Sequence, residues 1–330
     1  MFSGKHSKRK ILQCIAVILV VVLVLSAVLL FLYFWEKKQG VYKGEGMGLD
    51  SSIEYNGEEY VLKKNIETLL VLGLDKYNEP IDESGFMNDK QADFVMLFVI
   101  DNASKKCILL HINRDTMLEV NKLGVAGEKI GTVTQQLALA HTYGSGDKVS
   151  CRNTADAVSK LLMNAKINNY MSVTIDAVPM FNDLVGGVEV EILDDFTGID
   201  DSLIKGETVK LMGNQALTFV QSRKGVADSS NESRMGRQKQ YLEALHSATQ
   251  ECIKTDDKFV VDACVKMSEY MVSNCSVTQM QNLFNKISEY EFASINYLEG
   301  ETRAGEKFVE FYPNAESVKS QVVSLFYEKK

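Results

Sequence analysis

The sequence predicts an α/β protein: an α-β-α sandwich on a mixed central sheet, preceded by one N-terminal transmembrane helix. Three observations lead there. Apolar runs rich in β-branched residues alternate with segments of helical spacing, the pattern of strands and helices layered around one sheet. The chain begins with a basic tip followed by a long apolar run. With 45% hydrophobic and 24% charged residues, the remainder has the composition of a packed domain, not of a disordered one.

Residues 1–10 form the basic tip, with Lys5, Lys8, Arg9 and Lys10. From Ile11 to Trp35 the chain is nearly all Ile, Leu, Val, Ala and Phe, interrupted by Gln13 and Ser26. At ~1.5 Å per residue this run exceeds the ~30 Å hydrocarbon core of a bilayer. The basic residues before it and Tyr33 and Trp35 at its end orient a single span with the N-terminus inside and everything after Glu36 outside. A cleaved signal peptide would have an apolar region of ~7 to 15 residues and a small-residue cleavage site, and neither is present. Residues 36–64, rich in Gly, Ser and Glu, read as a tether leaving the membrane.

Core strands are expected at Thr68–Leu74, Phe94–Ile100 and Cys107–Ile112, the last two joined by the turn-like Asp101-Asn-Ala-Ser-Lys-Lys. Helical spacing follows at Thr132–His141 and at Asn153–Met163, with Asn153 as a plausible cap. Tyr170–Thr174 reads as a strand, and Asp176-Ala-Val-Pro179 starts a helix that Gly186-Gly187 ends, because Asp caps, Pro fits a first turn and Gly terminates. Val188–Ile192 is again a strand. Helices are expected at Asn214–Gln221, Ser233–Cys252, Asp256–Val272 and, behind the Ser276-Val-Thr-Gln279 capping box, Val277–Tyr290. Strands at Phe292–Tyr297 and Phe308–Tyr312 and a helix from Asn314 complete the chain. The organisation is a main domain over residues 65–250 and an extension over 251–330 packed on it.

The net charge is −8, yet residues 221–240 concentrate Arg223, Arg234 and Arg237. On a helix starting near Ser233, Arg234, Arg237, Gln238 and Tyr241 share one stripe. Cations at a helix amino end oppose the dipole unless an anion lies between them, so the stripe is either an anion site or a solvated basic face. Asp75, ending Val71-Leu-Gly-Leu-Asp75, and Asp93, opening the next strand, could share one Mg2+ that also binds substrate phosphate, or could serve as turn and cap residues. Arg114, just after an apolar strand, could hold a pyrophosphate oxygen pair with Asp115 orienting it, or form a surface ion pair. His6, His111, His141 and His246 are scattered, Cys107, Cys151, Cys252, Cys264 and Cys275 lack metal-type spacing, and no phosphate-binding Gly-Lys-Ser/Thr loop occurs; zinc hydrolases and nucleotide kinases are disfavoured. The acidic balance and the outside location disfavour nucleic acid as a partner.

Read in order, Leu-Gly-Leu-Asp75, Ala-Asp93-Phe-Val-Met, Ile-Asn-Arg114-Asp-Thr, Leu-Val-Gly-Gly-Val-Glu-Val, Leu-Met-Gly-Asn-Gln-Ala-Leu, Gln-Ser-Arg223-Lys-Gly and Arg234-Met-Gly-Arg237-Gln238 resemble the LytR-CpsA-Psr family of bacterial envelope proteins, from about Asn65 to Thr249. The anchor and the tail near residues 299–313 also look like that family. The resemblance implies a transferase that moves a glycopolymer phosphate, such as wall teichoic acid or capsule, from an undecaprenyl pyrophosphate carrier onto peptidoglycan at the outer side of the bacterial cytoplasmic membrane. It implies Asp75 and Asp93 as ligands of Mg2+ (or Mn2+) and Arg114, Arg223 and Arg234 as pyrophosphate contacts together with Asp93 at the reacting centre. Arg237 and Gln238 are then the neighbouring substrate contacts. Gln91 and Gln221 stand where the family has arginines, and Asn231 where it has an Asp; they are substrate-binding positions without the charge. Each lost arginine removes roughly 1.5–3 kcal/mol per charged hydrogen bond. Glu232 or Asp228 could replace the carboxylate, and Arg152 or Lys224 the charge. The polyprenyl tail needs an apolar tunnel, which Thr132–His141 and Asn153–Met163 could line unless they are ordinary core. Two other readings remain open: a non-catalytic or weakly active lipid-pyrophosphate-binding regulator of the same fold, and an extracellular adhesion module, which accounts for the anchor but not for the arginine stripe.

Overall fold

The computed structural model describes residues 48–75, 90–124, 126–144, 146 and 148–330. The basic tip, the span expected over Ile11–Trp35 and the beginning of the tether lie outside the described residues. Among the described residues no helix is long and apolar enough to cross a membrane.

In chain order the strands and helices are β1 (Ser52–Tyr55), β2 (Glu58–Leu62), β3 (Ile66–Leu74), β4 (Ala92–Asp101), β5 (Lys106–His111), β6 (Met117–Leu123), β7 (Lys129–Gln136), α1 (Lys148–Leu161), β8 (Asn169–Thr174), α2 (Ala177–Leu184), β9 (Val188–Glu191), β10 (Thr208–Leu211), α3 (Asn214–Gln221), α4 (Asn231–Thr255), α5 (Phe259–Met267), β11 (Met271–Ser273), α6 (Val277–Glu289), β12 (Glu291–Tyr297), β13 (Gly300–Ala304), β14 (Val309–Pro313), α7 (Ala315–Phe326) and β15 (Tyr327–Lys329). Six strands form the central sheet in the order β11-β8-β3-β4-β5-β12. β3 and β5 run antiparallel to β4, β8 is parallel to β3, and β12 is parallel to β5, so the sheet is mixed.

Strand side chains alternate between two faces. On one, Leu70, Leu72, Leu97, Val99 and Leu110 pack with Val158 of α1 and Val322 and Val323 of α7. On the other, Leu69, Met96, Leu109 and Met171 pack with Cys264 of α5 and Met280 and Leu283 of α6. The sandwich therefore has helices on both faces, and residues after 251 contribute two sheet strands, β11 and β12, and part of that second layer. Because β4 runs against β3 and β5, the ends of β3 and β5 and the start of β4 meet at one end of the sheet, among its interior strands. Ala126–Glu128, in the β6–β7 connection, group apart from the other described residues, which form one unit.

Several elements differ from expectation. The segment expected as a helix over Thr132–His141 is strand β7 followed by a short 3-10 helix, Leu137–Thr142. β7 pairs with β6 and exposes alternate residues, and its Ile130, Thr132, Val133 and Thr134 are β-branched; the helical spacing came from Leu137, Ala140 and His141 alone. Asn153 is not a cap but lies inside α1, where its amide donates to Asn121 O (3.1 Å) and Ala140 O (2.9 Å). The helix expected over Asp256–Val272 is α5, a 3-10 turn at Ser268–Tyr270 and the edge strand β11, since β-branched Val272 pairs with Ser172 of β8. Part of the stretch read as tether is a hairpin, β1–β2, to which β15 adds.

Candidate functional site

The ends of the interior strands carry the first site groups. Gly73 of β3 pairs with Phe94 of β4, where a Cβ would come within 2.8 Å of the Phe94 Cβ, so the close approach needs a glycine. The next pair is Leu74 with Ala92, which leaves Asp93 as the extra residue of a bulge. Bulges re-aim side chains. Simple alternation would send Asp93 and Phe94 to opposite faces, yet both line the same cavity.

That cavity has a volume of about 360 Å³ and lies between the sheet and α4–α6, with Val71, Phe98, Leu245, Val260 and Phe284 among its apolar walls. Asp75, Asp93, Gln221, Arg234 and Gln238 also line it. The lining contains neither Thr132–His141 nor Asn153–Met163; those segments belong to the opposite, α1-covered side. The apolar channel expected from the sequence is thus built by α4, α5 and α6, whose lining residues look like ordinary core in the sequence.

Arg114 follows β5. Its Nη1 pairs with Asp93 Oδ1, its Nη2 donates to Gln91 Oε1 (2.7 Å), and its Nε faces Asp115 Oδ1 (3.4 Å). Gln136 of β7 donates to Asp115 Oδ1 (2.9 Å) and to the Val309 carbonyl (2.7 Å), which braces this turn against β14. Burial draws the Arg114 guanidinium below its ordinary value; Asp115 and Asp75 oppose that shift, and Arg234 and Arg223 add to it. Burial likewise pushes the Asp115 carboxyl up against the pull of Arg114, Arg223 and Arg234. Residues far apart in sequence therefore share one electrostatic neighbourhood: Arg114, Arg223 and Arg234 with Asp75 and Asp115. Arginine stays protonated throughout.

Arg234 reaches this neighbourhood from the first turn of α4, which Ser230 caps by accepting from Ser233 N (3.0 Å). It is 8% exposed, its Nη2 donates to Asn231 Oδ1 (2.6 Å), and its buried Nε has no hydrogen-bond partner among the described residues. A buried cationic donor without a partner is costly unless an anion meets it. Gln238, one turn on, lines the cavity while donating to the Val220 carbonyl (3.1 Å).

Two expected contacts are differently employed. Arg237 turns away from the cavity: its Nε donates to Phe219 O (3.1 Å), its Nη1 pairs with Asp194 (2.7 Å), and its Nη2 donates to the Ser222 carbonyl. It thus closes the carboxyl end of α3 and fixes the backbone next to Arg223, and it does not line the cavity. Gln91 spends its amide oxygen on Arg114 and so orients an arginine instead of adding a cation. Sequence reasoning missed Asn113 as a site residue and the use made of Glu232: the Asn113 amide accepts from Asn231 Nδ2 (2.8 Å), and Glu232 accepts from Thr302 Oγ1 (2.7 Å) on β13. No local pattern announces contacts between segments 70 and 118 positions apart.

Asp75 and Asp93 are hard oxygen donors at one end of the cavity. Among the described residues no group of three or more His, Cys, Asp or Glu could close around an ion. Two carboxylates suit a small divalent cation that takes its other oxygens from water and phosphate, as Mg2+ does.

A family model described as the LytR_cpsA_psr family matches residues 36–322. The chain is 23% identical over 247 residues to the polyisoprenyl-teichoic acid–peptidoglycan teichoic acid transferase TagU of Bacillus subtilis (strain 168), covering 74% of this chain and 72% of that protein. To TagU of Bacillus anthracis (strain CDC 684 / NRRL 3495) it is 28% identical over 170 residues, 51% of this chain and about half (48%) of the relative. Among solved structures, B. subtilis TagV superposes with a TM-score of 0.60 at 24% identity, covering 80% of this chain and 97% of that one. TagT bound to LI-WTA gives 0.59 at 21% identity, with 79% and 90% covered. These structures share the fold.

Proposed function

The chain belongs to the LytR-CpsA-Psr family, and from that footing we propose that it is a membrane-anchored phosphotransferase. It moves a glycopolymer phosphate from an undecaprenyl pyrophosphate carrier to peptidoglycan on the outer side of the bacterial cytoplasmic membrane. The observation that carries this reading is the joining of two chemistries in one cavity: apolar walls suited to a polyprenyl chain end at Arg234, Asp75 and Asp93, within the field of Arg114 and Arg223. The relatives' names support teichoic acid as the polymer class.

In the proposed reaction an acceptor hydroxyl oxygen bonds to the phosphorus that carries the glycopolymer. The bond from that phosphorus to the bridging oxygen breaks, and polyprenyl monophosphate leaves while the hydroxyl proton passes to the leaving phosphate or to water. Such transfers depend on positioning and charge neutralisation more than on a covalent nucleophile. Arg234, already desolvated and with an unpartnered Nε, binds the departing phosphate; Arg114, held by Gln91, Asp93 and Asp115, fixes the second phosphate; Arg223 adds positive potential. Mg2+ (or Mn2+) held by Asp75 and Asp93 would supply charge neutralisation on the pyrophosphate oxygens.

The test is turnover by the full chain in detergent micelles with Mg2+ and a polyprenyl pyrophosphate-linked glycan at saturation. Release of polyprenyl monophosphate is expected, and its absence sinks the transferase reading. Arg234→Ala is expected to lose at least tenfold, and up to several hundredfold, in turnover, the loss of one or two charged hydrogen bonds. A second reading, a binding member without turnover, is favoured by Gln91 and Gln221 occupying positions that offer no cation; it predicts that Arg114→Ala weakens lipid binding in a protein that never releases product.

A further inference from the structure

We infer that the side-chain amides of Asn113 and Asn231 are a matched positioning pair that sets the separation of Arg114 and Arg234 and thereby selects a diphosphate headgroup over a monophosphate. The inference rests on the pyrophosphate reading above and names what gives that site its selectivity.

Asn113 sits between the end of β5 and Arg114 and is 6% exposed; Asn231, the first residue of α4, is 5% exposed. Asn113 Oδ1 accepts from the Asp115 backbone N–H (2.9 Å), a local turn that bends the chain where Arg114 departs. The same oxygen accepts from Asn231 Nδ2 (2.8 Å), across 118 positions of sequence. Asn231 Oδ1 in turn accepts from Arg234 Nη2 (2.6 Å). Asn113 Nδ2 completes the set by donating to Glu232 Oε1 (3.3 Å), itself bound by Thr302.

The direction of the chain is fixed at both ends. A backbone N–H and a guanidinium can only donate, so Asn113 must present its oxygen to Asp115 and Asn231 must present its oxygen to Arg234. The one bond left between the two amides then runs from Asn231 nitrogen to Asn113 oxygen, which a carboxylate at 231 could not make. An Asp at 231 would face the Asn113 oxygen with a second acceptor and would hold Arg234 as an ion pair. The neutral amide instead orients Arg234 while leaving its charge uncompensated for a ligand. Buried hydrogen-bonded side-chain networks of this kind fix geometry more than they add stability. A diphosphate meets both guanidinium groups and so senses their spacing; a monophosphate engages one.

The experiment measures binding of polyprenyl pyrophosphate and of polyprenyl monophosphate of equal chain length to the full chain in detergent micelles. Wild type is expected to prefer the diphosphate. In Asn113→Ala and in Asn231→Ala, with the denaturant midpoint measured alongside to guard against a folding defect, that preference is expected to fall about tenfold with monophosphate affinity unchanged. The double variant Asn113→Ala/Asn231→Ala is expected to fall no further than the worse single one, because both act through one bond. Parallel weakening of both ligands, unchanged preference in both single variants, or additive losses would overturn the inference. Wild-type protein that binds no polyprenyl pyrophosphate would instead overturn the pyrophosphate reading itself, a separately visible result.

Discussion

The two faces of the central sheet are built from the same alternating strands and do opposite things. Beneath α1 and α7, Leu70, Leu72, Leu97, Val99 and Leu110 are fully buried against Val158 and Val322. Beneath α4, α5 and α6, the alternate residues of those strands share their space with a cavity of about 360 Å³. Both faces are apolar in sequence, so hydrophobic periodicity distinguishes neither. What separates them is the cavity left under the helices of the second face, which among the described residues is also the face where Asp75, Asp93 and Arg234 line that space. One face supplies stability, and the other gives up some packing to hold a ligand.

The comparison breaks first on the filled side. Leu97→Ala should cost about 2–5 kcal/mol in unfolding free energy, because the vacated volume has well-packed neighbours that cannot collapse into it. Denaturant midpoints would measure it, and the affinity of the folded fraction for polyprenyl pyrophosphate should not change. A cost below ~1 kcal/mol would mean that this face is less tightly filled than described.

A medium effect belongs to the second face. His111 of β5 is 2% exposed, lies between the rings of Phe94 (4.8 Å) and Tyr297 (5.7 Å), and has no hydrogen-bond partner on Nδ1 among the described residues. Burial, reinforced by the Arg234 charge, lowers its pKa from 6.5 to about 3. The folded state thus keeps His111 neutral, and its favourable contribution is complete above pH 6.5 and lost as pH falls from there toward 3, where only the unfolded chain gains the proton. At pH 5 the loss should be ~2 kcal/mol relative to pH 7. His111→Phe should flatten that part of the pH profile of the denaturant midpoint; an unchanged slope would place the acid sensitivity elsewhere.

How much of this was legible follows the range of each interaction. β3, β4 and β5 were readable because β-branched apolar runs and a short polar turn are local signals, and Asp75, Asp93 and Arg114 followed from strand ends. The β6–β7 hairpin was misread because three residues, Leu137, Ala140 and His141, imitate helical spacing next to a run whose Thr and Val residues pair in a strand. Arg234 and Arg237 are only about 60° apart around a helix, and periodicity treats them as equals. Their neighbours do not: the carbonyls of α3 and Asp194 claim Arg237, whereas Asn231 takes one nitrogen of Arg234 and leaves another without a partner. The bulge that turns Asp93 into the cavity and the bond between Asn113 and Asn231 depend on register and on long-range pairing, which no window of sequence contains.

The smallest effect tests whether the second face is a ligand cavity or only loose packing. Leu245 of α4 lines the cavity and is partly exposed, so a larger ring there has space to occupy without displacing the strands. Leu245→Trp should leave the denaturant midpoint nearly unchanged, in contrast to the 1–3 kcal/mol typical of adding bulk to a filled core. It should weaken polyprenyl pyrophosphate binding about tenfold, ~1.4 kcal/mol, while a soluble pyrophosphate without the apolar chain binds as before. Weakening of both ligands together would move the substitution's action to the arginine end. A large loss of stability with binding intact would make this face ordinary core, and the distinction between the two faces would disappear.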